Sequence, residues 1–126
     1  MTYDMKNFRF LEWEVYRDAK QVISLVLKLT HRLSPEYRFD LGNQIVRSSF
    51  SIALNIAEGS GKGSDKELNH FFNIALGSVY ETVAAIDILR ENKLVSSEEC
   101  DGLHKRLESI TNQLGGFKKK LKSRKS

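Results

Sequence analysis

The chain has 126 residues, 40% hydrophobic and 29% charged, with a formal net charge of +4; that suits one domain with a real core and excludes two ordinary domains or a disordered chain. A single Cys excludes a disulfide within the chain and points to a reducing, cytoplasmic setting. The stretch MTYDMKNFRFLEWEVYRD mixes charges with aromatics, so no export signal is expected, and no run of about 18 apolar residues is present to span or anchor in a membrane.

One Pro, at 35, and the lack of strand-like alternation leave helices as the default. Phe8, Leu11, Val15, Ala19, Val22, Val26, Leu29 and Leu33 recur at steps of three and four, which predicts one continuous helix of nearly seven turns. It should stop before Ser34-Pro35, where Ser can cap the next helix and Pro suits its first turn. In the second segment Leu41, Ile45, Ser48, Ser49, Ile52 and Ile56 share a face, and Gly59 is expected to end it.

The run Gly59-Ser60-Gly61-Lys62-Gly63-Ser64 comes next and suggests a phosphate loop. A Walker-type loop needs Gly, four residues, then Gly-Lys-Ser/Thr after a buried strand. Here Gly63 follows Gly61-Lys62, Ile stands at 56, and a helix comes before. The run reads instead as stop, link and restart, with Ser64-x-x-Glu67 a capping box. Anion binding at that helix start stays open as a minor role, with Lys62 and Lys66 nearby.

The third segment, Asp65 to about Lys93, turns Leu68, Phe71, Phe72, Ala75, Val79, Thr82, Ile86 and Leu89 inward. Ser96-Ser97-Glu98-Glu99 offers a second capping box. In the fourth segment Leu103, Leu107, Ile110, Leu114, Phe117 and Leu121 alternate steps of four and three. Gly115 and Gly116 each cost about 1 kcal/mol relative to Ala, so fraying is expected from there. The prediction is an all-α, antiparallel up-down-up-down four-helix bundle over residues 1–117, with a flexible basic tail over 118–126. The last ten residues, FKKKLKSRKS, hold six of the twenty Lys and Arg and no acid, leaving fourteen basic against sixteen acidic residues elsewhere. The body is slightly acidic and the excess positive charge sits in the tail.

Two segments are apolar on more than one face. Val46, Phe50, Ala53 and Ala57 form a second stripe in the second segment; Ile74, Gly77, Ala84 and Ile88 do so in the third, with His70 and Glu81 among them. A bundle core needs one stripe per helix, so the surplus predicts a homo-oligomer interface at Val46, Phe50, Ala53, Ala57, Ile74, Gly77, Glu81, Ala84 and Ile88. A wide core face, or scattered surface apolar residues, is the alternative.

The run Gln44-Ile45-Val46-Arg47-Ser48-Ser49-Phe50-Ser51-Ile52-Ala53-Leu54-Asn55-Ile56-Ala57-Glu58-Gly59, followed by Phe71-Phe72-Asn73-Ile74-Ala75-Leu76-Gly77-Ser78-Val79-Tyr80-Glu81, resembles the signature of the four helix bundle protein family, also called 23S rRNA intervening-sequence or S23-like proteins. The resemblance spans nearly the whole chain. It implies a bacterial, non-enzymatic bundle that assembles as a ring, typically a pentamer, and a distant similarity to the accessory protein of diversity-generating retroelements, which binds nucleic acid and a reverse transcriptase. Members often carry an Arg just after the glycine linker, where this chain has the looser Gly61-Lys62-Gly63. Read from the residues alone, Gln44, Ser48 and Asn55 flank the core stripe and are expected to bond to neighbouring helices.

Catalytic chemistry finds little footing. Glu67-x-x-His70 and Asp101-x-x-His104 mimic the carboxylate and His pairs of di-iron bundles, but in a hairpin turning near residue 95 their offset is roughly 24 Å. Cys100 stands one turn from His104, and Glu98, Glu99 and Asp101 oppose thiolate formation there. No enzyme activity, metal or cofactor is expected. Topology would instead gather positive charge at one end, where Lys6, Arg9, Lys62, Lys66 and the tail outnumber Asp4, Glu12, Glu14, Glu58, Asp65 and Glu67. The candidate contacts to an RNA or DNA backbone are Lys62, Lys66, Lys118, Lys119, Lys120, Lys122, Arg124 and Lys125. The competing reading is a protein-interaction scaffold, without nucleic acid, whose tail serves solubility.

Overall fold

The computed structural model describes residues 8–123. Four long helices carry them: α1 (Glu14–His31), α2 (Asn43–Ser60), α3 (Asp65–Glu91) and α4 (Ser97–Ser123), with no strand among the described residues. This is the make-up of a four-helix bundle. The inward stripes meet in one core, where Val15, Val22 and Val26 of α1 join Ile45, Ile52 and Ile56 of α2, Phe72 and Ile86 of α3, and Leu103, Leu107, Ile110 and Leu114 of α4. Each is essentially removed from water, worth about 1.5–3 kcal/mol per large side chain by transfer.

The first segment is not the single long helix its periodicity predicts. A 3-10 turn spans Arg9–Glu12, Trp13 is extended at φ −75° and ψ 131°, and α1 starts only at Glu14. The break lets the Trp13 ring pack against Phe72 and Phe117, with centroids at 6.3 and 5.2 Å. Such aromatic pairs add about 0.5–1.5 kcal/mol beyond area burial. Phe8, which a continuous helix would have turned inward, is half exposed.

After α1, Ser34 stands at the cap position before Pro35, as expected, but its side chain makes no capping bond. The Arg38 guanidinium instead donates to the carbonyls of His31 and Leu33, both at 3.0 Å, satisfying acceptors at the end of α1. One helical turn, Pro35–Tyr37, passes into a π-helical stretch, Arg38–Gly42, and then into α2.

α2 does not stop at Gly59. It runs to Ser60, with Gly61 as its cap at φ −90°. Gly59 supplies closeness instead: a Cβ there would lie 2.9 Å from Phe71 Cβ and 3.2 Å from Leu68 Cδ1. At the start of α3 the Glu67 amide donates to Ser64 Oγ at 3.2 Å, half of the predicted capping box. The box before α4 is complete, with Ser96 N to Glu99 Oε1 and Glu99 N to Ser96 Oγ both at 3.1 Å. Between them Lys93 takes φ 60° and closes α3, its amide donating to Arg90 O and that of Leu94 to Leu89 O, both at 2.9 Å.

α4 passes through Gly115-Gly116 without fraying and continues to Ser123. Buried Leu114 and Leu121, together with Phe117 against Trp13 and Phe72, anchor the helix on both sides of the glycines. Residues 118–123 are therefore helical. α3 is long and apolar enough, by length and composition alone, to cross a membrane. Its Leu68, Phe72, Val79, Ile86 and Leu89 are inside the core, while Ile74 and Ile88 remain exposed.

The glycines generate a contrast. Gly59→Ala is expected to lose about 1–3 kcal/mol to overpacking despite its better helix propensity. Gly115→Ala, whose Cβ would meet nothing within 4 Å, should gain about 0.5–1 kcal/mol. Urea unfolding at one fixed protein concentration measures both.

Candidate functional site

The signature residues of α2 build its contact with α3. Ser48 and Thr82 are buried, and Thr82 Oγ1 donates to Ser48 Oγ at 2.9 Å. One turn along, Ser78 Oγ donates to Ser51 Oγ at 2.8 Å, and Gln44 Nε2 donates to Glu81 Oε2 at 2.9 Å. Small hydroxyl side chains let the two backbones approach while leaving no polar atom of the seam unsatisfied. Each hydroxyl also has a carbonyl on its own helix in reach: Ile45 O for Ser48, Ile74 O for Ser78 and Ser78 O for Thr82. Asn55 departs from expectation, since its amide donates to Ser51 O at 2.8 Å and to Ser51 Oγ at 3.0 Å within α2 rather than to a neighbouring helix.

Seven of the seventeen Lys and Arg among the described residues, Arg9, Lys62, Lys66, Lys118, Lys119, Lys120 and Lys122, lie toward one end. Arg9 donates to Ser60 O at 3.3 Å and lies over the Trp13 ring, 5.5 Å from its centroid. With the Trp13, Phe72 and Phe117 cluster, this holds the start of α1, the link after α2 and the last turns of α4 together. Lys66 is exposed, and Lys62 is half-buried with its ammonium 5.2 Å from the Phe71 ring centroid, a cation–π contact. Lys118, Lys119 and Lys122 line a groove of about 560 Å³ between α3 and α4, with Asp65, Asn69, Leu76, Tyr80, Thr111, Gly115 and Leu121. Lys118 also donates to Asn73 Oδ1. Lys120 is exposed but does not line the groove, and Arg124 and Lys125 lie outside the described residues. Tyr80, 67% exposed, joins the lysines only through the packing of α3 on α4. The one trace it leaves in sequence is its place off the α3 core stripe.

The surplus apolar positions divide. Phe50, Ile74 and Ile88 are 46%, 39% and 54% exposed. Gly77, Glu81 and Ala84 are exposed as well, while Val46 and Ala57 are half-buried. Ala53 is packed into the subunit's own core and does not belong to the surplus surface, because the inward face of α2 is wide enough to take it. Leu54, 55% exposed and one turn after Phe50, belongs to that surface and was not among the predicted positions.

The groups weighed for catalysis stay apart. Among the described residues no group of three or more His, Cys, Asp or Glu could hold a metal ion. Cys100 is fully buried in the core. His104 is half-buried and its Nε2 has no hydrogen-bond partner, while His70 is exposed with its ring 5.3 Å from that of Phe71.

An all-helical bundle with a serine-rich seam between its second and third helices is the class these features define. A family model described as 23S rRNA-intervening sequence protein matches residues 12–116, and the chain belongs to that family. No curated protein matches it. Among solved structures, the chain is similar to a protein of unknown function from the S23 ribosomal protein family of Bacteroides thetaiotaomicron, with TM-score 0.77 and 23% identity over 83% of this chain and 98% of that one. At that identity the likeness is one of fold. Neither the family nor this neighbour indicates a catalytic activity.

Thr82→Val keeps the seam's shape and removes a hydroxyl, which should cost about 1 kcal/mol. Ser48→Val inserts bulk between two close backbones and should cost about 1–3 kcal/mol. Cys100 should react with a thiol-specific chromogenic disulfide only as fast as the protein unfolds, which stopped-flow absorbance in native buffer and in urea would check.

Proposed function

We propose that the chain is a non-enzymatic, oligomeric bundle that binds the phosphate backbone of RNA or DNA through its basic end. The observation that carries this reading is the convergence of Lys118, Lys119 and Lys122, on an ordered helix end, with the start of α3 that Lys62 and Lys66 flank. Cations fixed on a helix reach a phosphate without first losing the entropy of a loose tail. Membership in a family named for an insertion in ribosomal RNA fits a nucleic-acid role.

The subunit follows an up-down-up-down course in this reading. Support comes from the rungs: along α2 from Gln44 through Ser48 to Gly59, the α3 partners fall from Glu81 and Thr82 to Phe71. Asp18 of α1 meets Gln113 of α4, whereas Arg32 meets Glu99. Self-association, with a ring of five as the assembly, is supported by Phe50, Leu54, Ile74 and Ile88, large apolar side chains that one subunit leaves in water. In a closed ring every basic end would point the same way and the fields would add.

Removing the tail outright would also remove buried Leu121, so charge should be neutralised instead. The triple variant Lys119→Gln, Lys120→Gln, Lys122→Gln should fold normally and flatten the plot of log affinity against log salt by about 2, since each neutralised phosphate contact contributes about 0.7–0.9. An unchanged slope would leave the basic helix end without a role and favour the scaffold reading. Light scattering should find an oligomer that Phe50→Glu with Leu54→Glu dissociates; a wild-type chain that stays at 14.4 kDa at micromolar concentration refutes the assembly.

A further inference from the structure

The groove between α3 and α4 has the chemistry of a narrower ligand class than nucleic acid at large. Lys118, Lys119 and Lys122 supply three ammonium groups, Tyr80 an aromatic ring that is mostly in water, and Asn69 and Thr111 neutral hydrogen-bonding groups. From Asn69 to Tyr80 the α3 wall rises eleven residues, about 16 Å. Successive phosphates of one strand lie about 3.4 Å apart along a duplex axis, and farther apart when the strand is stretched, so the groove spans a few nucleotides. Its 560 Å³ also falls within the range of about 300–1,000 Å³ usual for ligand clefts.

A Cβ on Gly115 would meet nothing within 4 Å, so the floor of the groove is open at a position where Ala would make the better helix. Asp65 is the one acid in the lining. A duplex keeps its bases stacked and offers Tyr80 nothing, whereas an unpaired strand can turn a base onto the ring.

We infer that this groove seats a single-stranded polynucleotide, its phosphates on Lys118, Lys119 and Lys122 and one unstacked base on the face of Tyr80. The inference rests on the nucleic-acid reading above and adds the strand type and the seat. Phosphate and ring face are present in RNA and DNA alike, so both are ligands of this groove.

Fluorescence anisotropy of the full chain with labelled oligo(dT), oligo(rU) and a mixed-sequence duplex, over a salt series, tests it. Both single strands should bind about tenfold or more tighter than the duplex. Tyr80→Ala should weaken them about tenfold with the salt slope unchanged, and Tyr80→Phe should restore affinity, because stacking needs the ring and not the hydroxyl. Gly115→Leu should fill the floor and weaken binding to a similar extent without lowering the thermal midpoint. Salt-sensitive binding that Tyr80→Ala and Gly115→Leu leave at wild-type strength overturns the groove while the basic-end reading stands, and a preference for duplex does the same. A wild-type chain that binds none of the three ligands overturns both. Should Gly115→Leu fail to fold, the Ala and Phe variants of Tyr80 decide alone.

Discussion

The close approach of α2 and α3 is the constraint on which the rest of the bundle depends. Two helix backbones come near each other only where side chains are small, and buried polar groups are stable there only with partners. Gly59 at one end and the pairs Ser48–Thr82 and Ser51–Ser78 along the seam meet both conditions. The flanking Ile45, Ile52, Ile56, Phe72, Val79 and Ile86 are thereby delivered into the core. The signature run is thus first a packing code. Its hydroxyls sit where an apolar residue of the same face would have pushed the helices apart.

A second contact organises the opposite side of the core. Trp13, Phe72 and Phe117 come from three different parts of the chain, and their cluster ties the end of α4 to the beginnings of α1 and α3. That tie carries α4 past its two glycines, and so decides that Lys118 to Lys122 ride on a helix. Charge position is therefore a consequence of the aromatic packing of Phe117, the residue just before Lys118.

Much of this was legible in the chain itself. The core stripes follow a period near 3.6, and most of the residues they name between Val15 and Leu114 are buried, Leu41 and Phe71 being only half-buried. The capping box before α4, the half-box at Ser64 and the place of Pro35 are local chemistry and read directly. What failed to read was decided by partners distant in sequence. Trp13 breaks the first helix for the sake of rings about 60 and 100 residues away. Gly59 looks like a stop signal until Phe71 is placed against it. Local propensity argues for fraying at Gly115-Gly116, and tertiary anchors overrule it. The groove was the least legible feature, because Tyr80 and Lys118 share no periodicity and meet only across two packed helices.

The seam hydroxyls have one further property. Ser48, Ser78 and Thr82 each find a carbonyl acceptor on their own helix as well as an oxygen across the gap. A hydroxyl has a single proton, so each can fall back on its local acceptor when the opposite helix moves away. Parting α2 from α3 therefore strands no donor, and the penalty reduces to lost dispersion and wetted hydrocarbon. The joint that packs the subunit most closely is also one that can breathe without breaking its polar chemistry.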